Sequence, residues 1–333
     1  MTAAALTAAV AAAADDGFSG VVRITVGGEL VHESATGWAD RAHEIDLTPS
    51  TRLPIASGTK GFTALTVLAL VERGTLALDT PARELLGDDL PLVDSAVTVA
   101  HLLAHRSGIG DYLDEEALDD IRAYVLAVPT HRLATPDDYL VLLDGLPMRS
   151  VPGDQFAYNN SGYVLLAVLA ERAAGTPYHA LVDELVCQPA GLAGTCFPFS
   201  DEPTADVATG YLDADGLRTN VLHLPRRGLG DGGIATTAGD VDRLWTALFD
   251  GSLVSPDMRA RVTTVHGREP DGGAYGLGFW LFDDGATIGL EGYDPGISFT
   301  SRHTPATGTT LTVMSNHTDG AWPVARALRE LLS

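Results

Sequence analysis

The strand-like segments of this chain lie at its two ends, and the middle reads as helices and loops. Residues 20–35, GVVRITVGGELVHESA, read as a β-hairpin turning at Gly27-Gly28. Strand-like runs return only at Tyr275–Phe282, Ala286–Leu290, Gly296–Arg302 and Thr309–Ser315. Helical patterns occupy Ser57–Arg73, closed by Gly74, then Gly162–Ala174, closed by Gly175, then Tyr178–Val186. Two more follow at Thr237–Phe249 and Pro323–Leu332. From about Leu76 to Pro225, Pro and Gly breaks are frequent and strand alternation is scarce. This order predicts an α/β (α+β) fold with one antiparallel sheet built from both ends, flanked by helices, and an inserted all-helical lobe. Residues 1–75 and 226–333 would form the sheet domain and 76–225 the lobe. With 333 residues, 45% of them hydrophobic, the core is ample for one large domain or two intimate ones.

Composition narrows the function classes. The formal net charge is −23, from acidic residues dispersed along the chain. Such a surface argues against nucleic acid and anionic membrane as partners. The alanine-rich first 16 residues lack a basic start and a strongly apolar core, so a short helix and a cytoplasmic protein are expected, not a signal peptide. Cys187 and Cys196 read as free, buried small hydrophobes. No CxxC or HExxH spacing occurs, so no metal and no cofactor are expected.

The chemistry is signalled by one residue. Lys60 is the only lysine among 20 arginines, and it follows a serine by three positions in Ser57-Gly-Thr-Lys60. A desolvated lysine can release its proton, and arginine in a protein cannot. Residues three apart on a helix share a face, which brings the Lys60 amine within reach of the Ser57 hydroxyl. Nucleophile plus adjacent base is what covalent catalysis by serine needs. The competing reading makes Ser57 an ordinary helix N-cap.

Further motifs follow in order. They are His101-Leu-Leu-Ala-His105-Arg-Ser-Gly108, Tyr158-Asn-Asn160 and Gly232-Gly-Ile-Ala-Thr-Thr-Ala-Gly-Asp240. With Ser57-Gly-Thr-Lys60 they resemble, in order and spacing, the serine β-lactamase and penicillin-binding-protein family. The resemblance is closest to its class C-like esterase and D-peptidase branch and runs from about residue 18 to 330. It implies a β-lactamase/transpeptidase-like fold and a small ester, amide or peptide substrate. It also implies that Ser57 is acylated, that Lys60 and Tyr158 share the proton transfers, and that Asn160 binds Lys60 and a substrate amide. Either Lys60 or Tyr158 serves as the base under this reading: a cation lowers a phenol's pKa, and a phenolate holds an ammonium charged. The oxyanion hole would be the Ser57 N–H and the Tyr293 N–H. Tyr112 would line the cleft mouth. His101 and His105 read as structural, and Trp245 and Trp280 as core aromatics.

The family's third motif, Lys/His-x-Gly shortly before Pro-Gly, is altered here. Counting back from Pro295-Gly296 gives Leu290-Glu291-Gly292, with leucine where the cation belongs. The expectation is that Leu290 faces the cleft, that Glu291 leans towards it, and that Gly292 leaves room for a substrate backbone. Arg302 or His303 is the candidate replacement cation. A free substrate carboxylate would find no partner, so neutral or amine-bearing esters and amides are expected to be preferred. The leading function is carboxylesterase-like. D-amino-acid peptidase, amidase or acyltransferase activity is the alternative, and a catalytically silent binding domain is the rival of another class.

Overall fold

The computed structural model describes residues 3–332 except 16, 116, 117, 203, 205, 270 and 271. Eight strands form one antiparallel sheet. They are β1 (Gly20–Val26), β2 (Glu29–Thr36), β3 (Gly267–Arg268), β4 (Ala274–Tyr275), β5 (Trp280–Phe282), β6 (Thr287–Asp294), β7 (Ile297–Thr304) and β8 (Thr309–Ser315), in the order β2-β1-β8-β7-β6-β5-β4-β3. As expected, the two ends of the chain meet within it: β1 and β8, the second and third strands from the β2 edge, pair with Val21 opposite Met314. The β1–β2 hairpin turns at Gly27 and Gly28, both at positive φ.

Strand alternation splits the sheet into two faces. Val22, Ile24, Leu311 and Val313 point to one of them, where α1 (Ala3–Asp15) and the last helix, Ala321–Leu332, cover them. Leu6 and Val10 stand four apart on α1, and Val324 and Leu328 do so on the last helix, so each presents one apolar stripe. Val21, Leu290, Phe299 and Met314 point to the other face and join a larger core with α2 (Thr59–Glu72), α3 (Asn160–Ala174) and α4 (Ala238–Asp250). The last helix is α5 in this order. Residues 59–70 of α2 are all buried, in keeping with a run in which only threonines interrupt the apolar residues after Lys60.

Three local differences have physical causes. The expected strand Tyr275–Phe282 is broken into β4 and β5 by a turn at Gly278 (φ 93°). A Cβ at Gly278 would stand 2.2 Å from the Ala64 Cβ, so the chain bends there to pass α2. The helix at Tyr178 widens into a π-helical turn over Asp183–Cys187, ahead of Pro189, whose nitrogen cannot donate. Strand β6 continues to Asp294, carrying the whole Leu290-Glu291-Gly292 segment in regular structure. Cys187 and Cys196 are free thiols. Among the described residues no helix is long and apolar enough to cross a membrane.

Candidate active site

Ser57 sits in a 3-10 turn, Ala56–Gly58, immediately before α2. Gly58 occupies the cap position of α2, and no side chain caps that end. The Ser57 hydroxyl is therefore not spent on capping. Ala56 has φ 44°, a left-handed conformation that costs a non-glycine residue on the order of 1 kcal/mol. This turn is wedged against the sheet. A Cβ at Gly58 would meet the Phe299 ring at 2.5 Å, and one at Gly61 would meet Leu290 at 2.6 Å.

Lys60 is 1% exposed. Its Nζ donates to Ser57 Oγ (2.8 Å), Asn160 Oδ1 (2.7 Å) and the Asp231 carbonyl (2.9 Å). Burial pushes its pKa below the ordinary lysine value, and the carboxylates of Asp231, Glu115, Asp294 and Asp111 pull it back. The Ser57 side chain lies near enough to the Tyr158 phenol to favour its ionised form slightly. The Tyr158 ring centroid lies 4.9 Å from Lys60 Nζ. Burial, with Glu115 next in effect, pushes the Tyr158 phenol well above its usual pKa.

Each partner is itself held. Asn160 Nδ2 donates to the Leu113 carbonyl (3.1 Å) and to Glu115 Oε1 (2.9 Å). The start of α3 is pinned by Asp111, whose carboxylate accepts from the N–H groups of Asn160 (3.0 Å) and Ser161 (2.9 Å). Asn159 caps the same helix through Gly162 N–H at 2.7 Å. Tyr158 is gripped by rings: His105 lies 4.4 Å away, and Trp280 stacks parallel at 6.0 Å. His105 Nδ1 accepts from the Asn159 N–H (3.0 Å). Burial and then Lys60 push its pKa well below the usual histidine value, so it stays neutral.

Ser57, Tyr112 and Asn160 line a cavity of about 350 Å³, with apolar walls from Leu126, Leu142 and Phe199. Tyr112 is at the cleft, and its hydroxyl donates to the Asp231 carboxylate. His101 is structural, completing a capping box with Thr98 at the start of the short helix Val99–Leu103. Trp245 is fully buried. Trp280 is not a plain core aromatic, because it forms one wall of the slot that holds Tyr158.

The third-motif expectations need correction. Leu290 is 2% exposed and packs beneath α2 against Gly61, so it does not face the cleft. Glu291 points to the opposite face of the sheet, where it pairs with Arg302 at 3.0 Å, so it does not lean towards a substrate. That pairing, with the guanidinium 3.5 Å over the Phe282 ring, also removes Arg302 as a replacement cation. His303 is taken up against Trp245 and Phe249. The space beside Gly292 belongs to the nucleophile's own turn, since a Cβ there would stand 2.0 Å from the Ile55 carbonyl oxygen. The Tyr293 side chain lies at the far face, bonded to Asp319 (3.1 Å).

Sequence reasoning missed Asp231, Glu115 and Asp294, which surround Lys60 with carboxylates. Asp231 lies in the glycine-rich run 228–233, and Asp294 abuts Pro295-Gly296; both positions marked a tight turn near the site. Glu115 had no signal beyond an acidic stretch.

The family model described as Beta-lactamase matches residues 6–333. The crystal structure of a penicillin binding protein from Bacillus halodurans superposes with a TM-score of 0.90 at 35% identity, covering 96% of this chain and 99% of that one. PbpX of Bacillus subtilis, which bears a penicillin-binding-protein name, is 27% identical over 302 residues, 90% of this chain and 71% of its own length. Esterase EstB of Burkholderia gladioli is 38% identical over 191 residues, 53% of this chain and 46% of EstB. With a match of this extent, the chain belongs to the beta-lactamase family.

Proposed function

We propose that this protein is a serine hydrolase that cleaves carboxylic esters, carboxylesterase-like, through an acyl-enzyme on Ser57. The observation that carries this reading is the set of partners around Lys60 Nζ. Two of the three, Asn160 Oδ1 and the Asp231 carbonyl, can only accept. A neutral lysine would satisfy both with its two N–H groups and aim its lone pair at the Ser57 hydroxyl. The raised pKa of Tyr158 supports Lys60 as the base and a protonated Tyr158 as the proton donor.

In the first step Ser57 Oγ bonds to the substrate carbonyl carbon and its proton passes to Lys60. The oxyanion is held by the N–H groups of Ser57 and Tyr293. Strand β5 pairs only with Thr287–Gly289, so the β6 backbone from Leu290 to Asp294 keeps an open edge on that side. The C–O bond of the ester then breaks and the leaving alkoxide takes a proton from Tyr158, which Lys60 restores. Water repeats the sequence to release the acid. Asn160 orients the lysine.

Reaction with a fluorophosphonate followed by intact mass and peptide mapping tests this reading. One adduct on Ser57 is expected, and labelling elsewhere or none in folded protein overturns it. A silent binding domain would not react. Amidase activity on amine-bearing substrates is the second reading, favoured by the carboxylate of Asp294 in the cleft.

A further inference from the structure

The cleft offers a substrate acidic partners, and the one basic side chain among the described residues at its wall, His223, is bonded to the Arg122 carbonyl. Among the described residues, neither arginine nor lysine lines the cavity, while Asp231 and Asp294 do. Lys60 is reached only behind Ser57, and its three hydrogen bonds are committed. The carboxyl groups nearest the lysine are not equivalent. Tyr112 donates to Asp231, and Asn160 donates to Glu115. The side chain of Asp294 accepts no hydrogen bond from any described residue. It is half-buried at the end of β6, on the same strand parity as Gly292 and therefore on the Ser57 side of the sheet.

Its position relative to the nucleophile is defined by Gly232. A Cβ at Gly232 would stand 3.8 Å from the Ala56 carbonyl oxygen and 3.9 Å from Asp294 Oδ2. A carboxylate and the carbonyl one residue before Ser57 thus border one space, floored by a residue without a side chain. Both are acceptors. A donor on the substrate can bond both at once, and a substrate carboxylate there would be repelled by the ionised form of Asp294. Burial and Glu115 hold the Asp294 carboxyl up to about 7, Asp231 acting the same way and Lys60 against them. A bound cation would favour its ionised form.

We propose that Asp294 is the specificity-determining residue of this site and receives a protonated amine carried next to the scissile carbonyl, so that amino-acid esters and amides are the substrate class. The inference rests on the reading of Ser57 as the nucleophile. The cation-binding position of the third motif is thereby replaced by an anion on the same strand, four residues on.

The test compares isosteric pairs that differ only in ammonium against methyl: alanine methyl ester (both enantiomers) with methyl isobutyrate, and β-alanine methyl ester with methyl butyrate. Values of kcat/KM are measured from pH 6 to pH 8 for the native protein, Asp294→Asn and Asp294→Glu, with fluorophosphonate labelling of each. At least one amino ester is expected to exceed its isostere about tenfold or more, by the worth of one charge-assisted bond. For the β-alanine ester, whose amine stays protonated, that preference should grow as the pH rises through about 7, whereas the alanine ester begins to lose its ammonium towards about pH 8. Asp294→Asn should abolish the preference, cutting the amino-ester rate well beyond any change common to both esters that follows from the altered field at Lys60, and Asp294→Glu should keep part of it. Absence of any preference in the native protein, or an undiminished one in Asp294→Asn, overturns the proposal while normal labelling leaves Ser57 in place. Failure of the native protein to label at Ser57 overturns both.

Discussion

The two faces of the central sheet are built on different terms. Under α1 and α5 the buried residues are mainly apolar, from Leu6 and Val10 across Val22, Ile24, Leu311 and Val313 to Val324 and Leu328, with Ser298, Thr300 and Ser315 as small polar exceptions. Under α2 the same sheet meets a core in which Thr59, Lys60, Thr63, Asn160 and Asp240 are buried as well. An apolar face needs only the right period and volume. The polar face must satisfy every donor and acceptor, because an unmet buried group costs about 1–3 kcal/mol. Thr63, for instance, donates to the Gly230 carbonyl at 2.6 Å, and Thr59 Oγ1 accepts from the Ile234 N–H at 3.1 Å. One face stores stability, and the other spends side-chain freedom on positioning.

That contrast is broken most sharply at Lys60. Lys60→Arg keeps the charge and removes the ability to release a proton, so kcat should fall by about 10³-fold or more with the Tm changed far less in proportion. Tyr158→Phe should cost about 10²–10⁴-fold in the same assay. An arginine variant with most of its kcat would show that the lysine is not the base. The reverse experiment addresses the apolar face. Leu328→Ala should lose about 2–5 kcal/mol in denaturant titration with kcat/KM of the remaining folded protein unchanged.

Leu290 sharpens the comparison, since its position is the family's functional one and its surroundings are those of the core. Leu290→His places an imidazole against Gly61 and Phe279. It should destabilise by about 2–4 kcal/mol, from lost packing and an unpaired polar group, and should not improve turnover of substrates with a free carboxylate. A gain on such substrates would restore the cleft-facing orientation.

The smallest effect is expected at Asp294. Its folded pKa of about 7 exceeds the ordinary 3.8. The unfolded chain therefore releases this proton earlier as pH rises from about 4 to 7, and stability falls across that window. Asp294→Asn removes the penalty. Its Tm should exceed that of the native protein at pH 8 by about 2 °C or more, with a smaller gain at pH 5. Equal gains at both pH values would count against a raised carboxyl.

What was legible follows the same division. The hairpin at Gly27-Gly28, the run that becomes α2 and the closing strands could be read because period and turn chemistry are local signals. Ser57 and Lys60 stood out because a solitary lysine breaks an otherwise uniform arginine composition. Counting back from Pro295-Gly296 located β6, and alternation alone would have sent Glu291 to the opposite face. Alternation does not report how far along the strand α2 lies, which is why Leu290 was expected in the cleft. The direction of the Tyr158 shift was hidden too. A neighbouring lysine suggested a lowered phenol pKa, but burial and Glu115 outweigh it, and both depend on loops that meet only in three dimensions.

The pairing of β1 with β8 imposes an order on synthesis. Ser19 Oγ donates to Asn316 Oδ1, a partner 297 residues away, and α2 rests on β6 and β7, which emerge from the ribosome more than two hundred residues after it. The nascent chain must carry the apolar residues of α2, from Phe62 to Val71, through most of translation before the strands that cover them exist. Non-local closure of this kind slows folding and prolongs exposure of sticky surface. Chaperone dependence during expression, and refolding that lags behind a helical protein of equal length, are the practical signature of a sheet sewn from both ends.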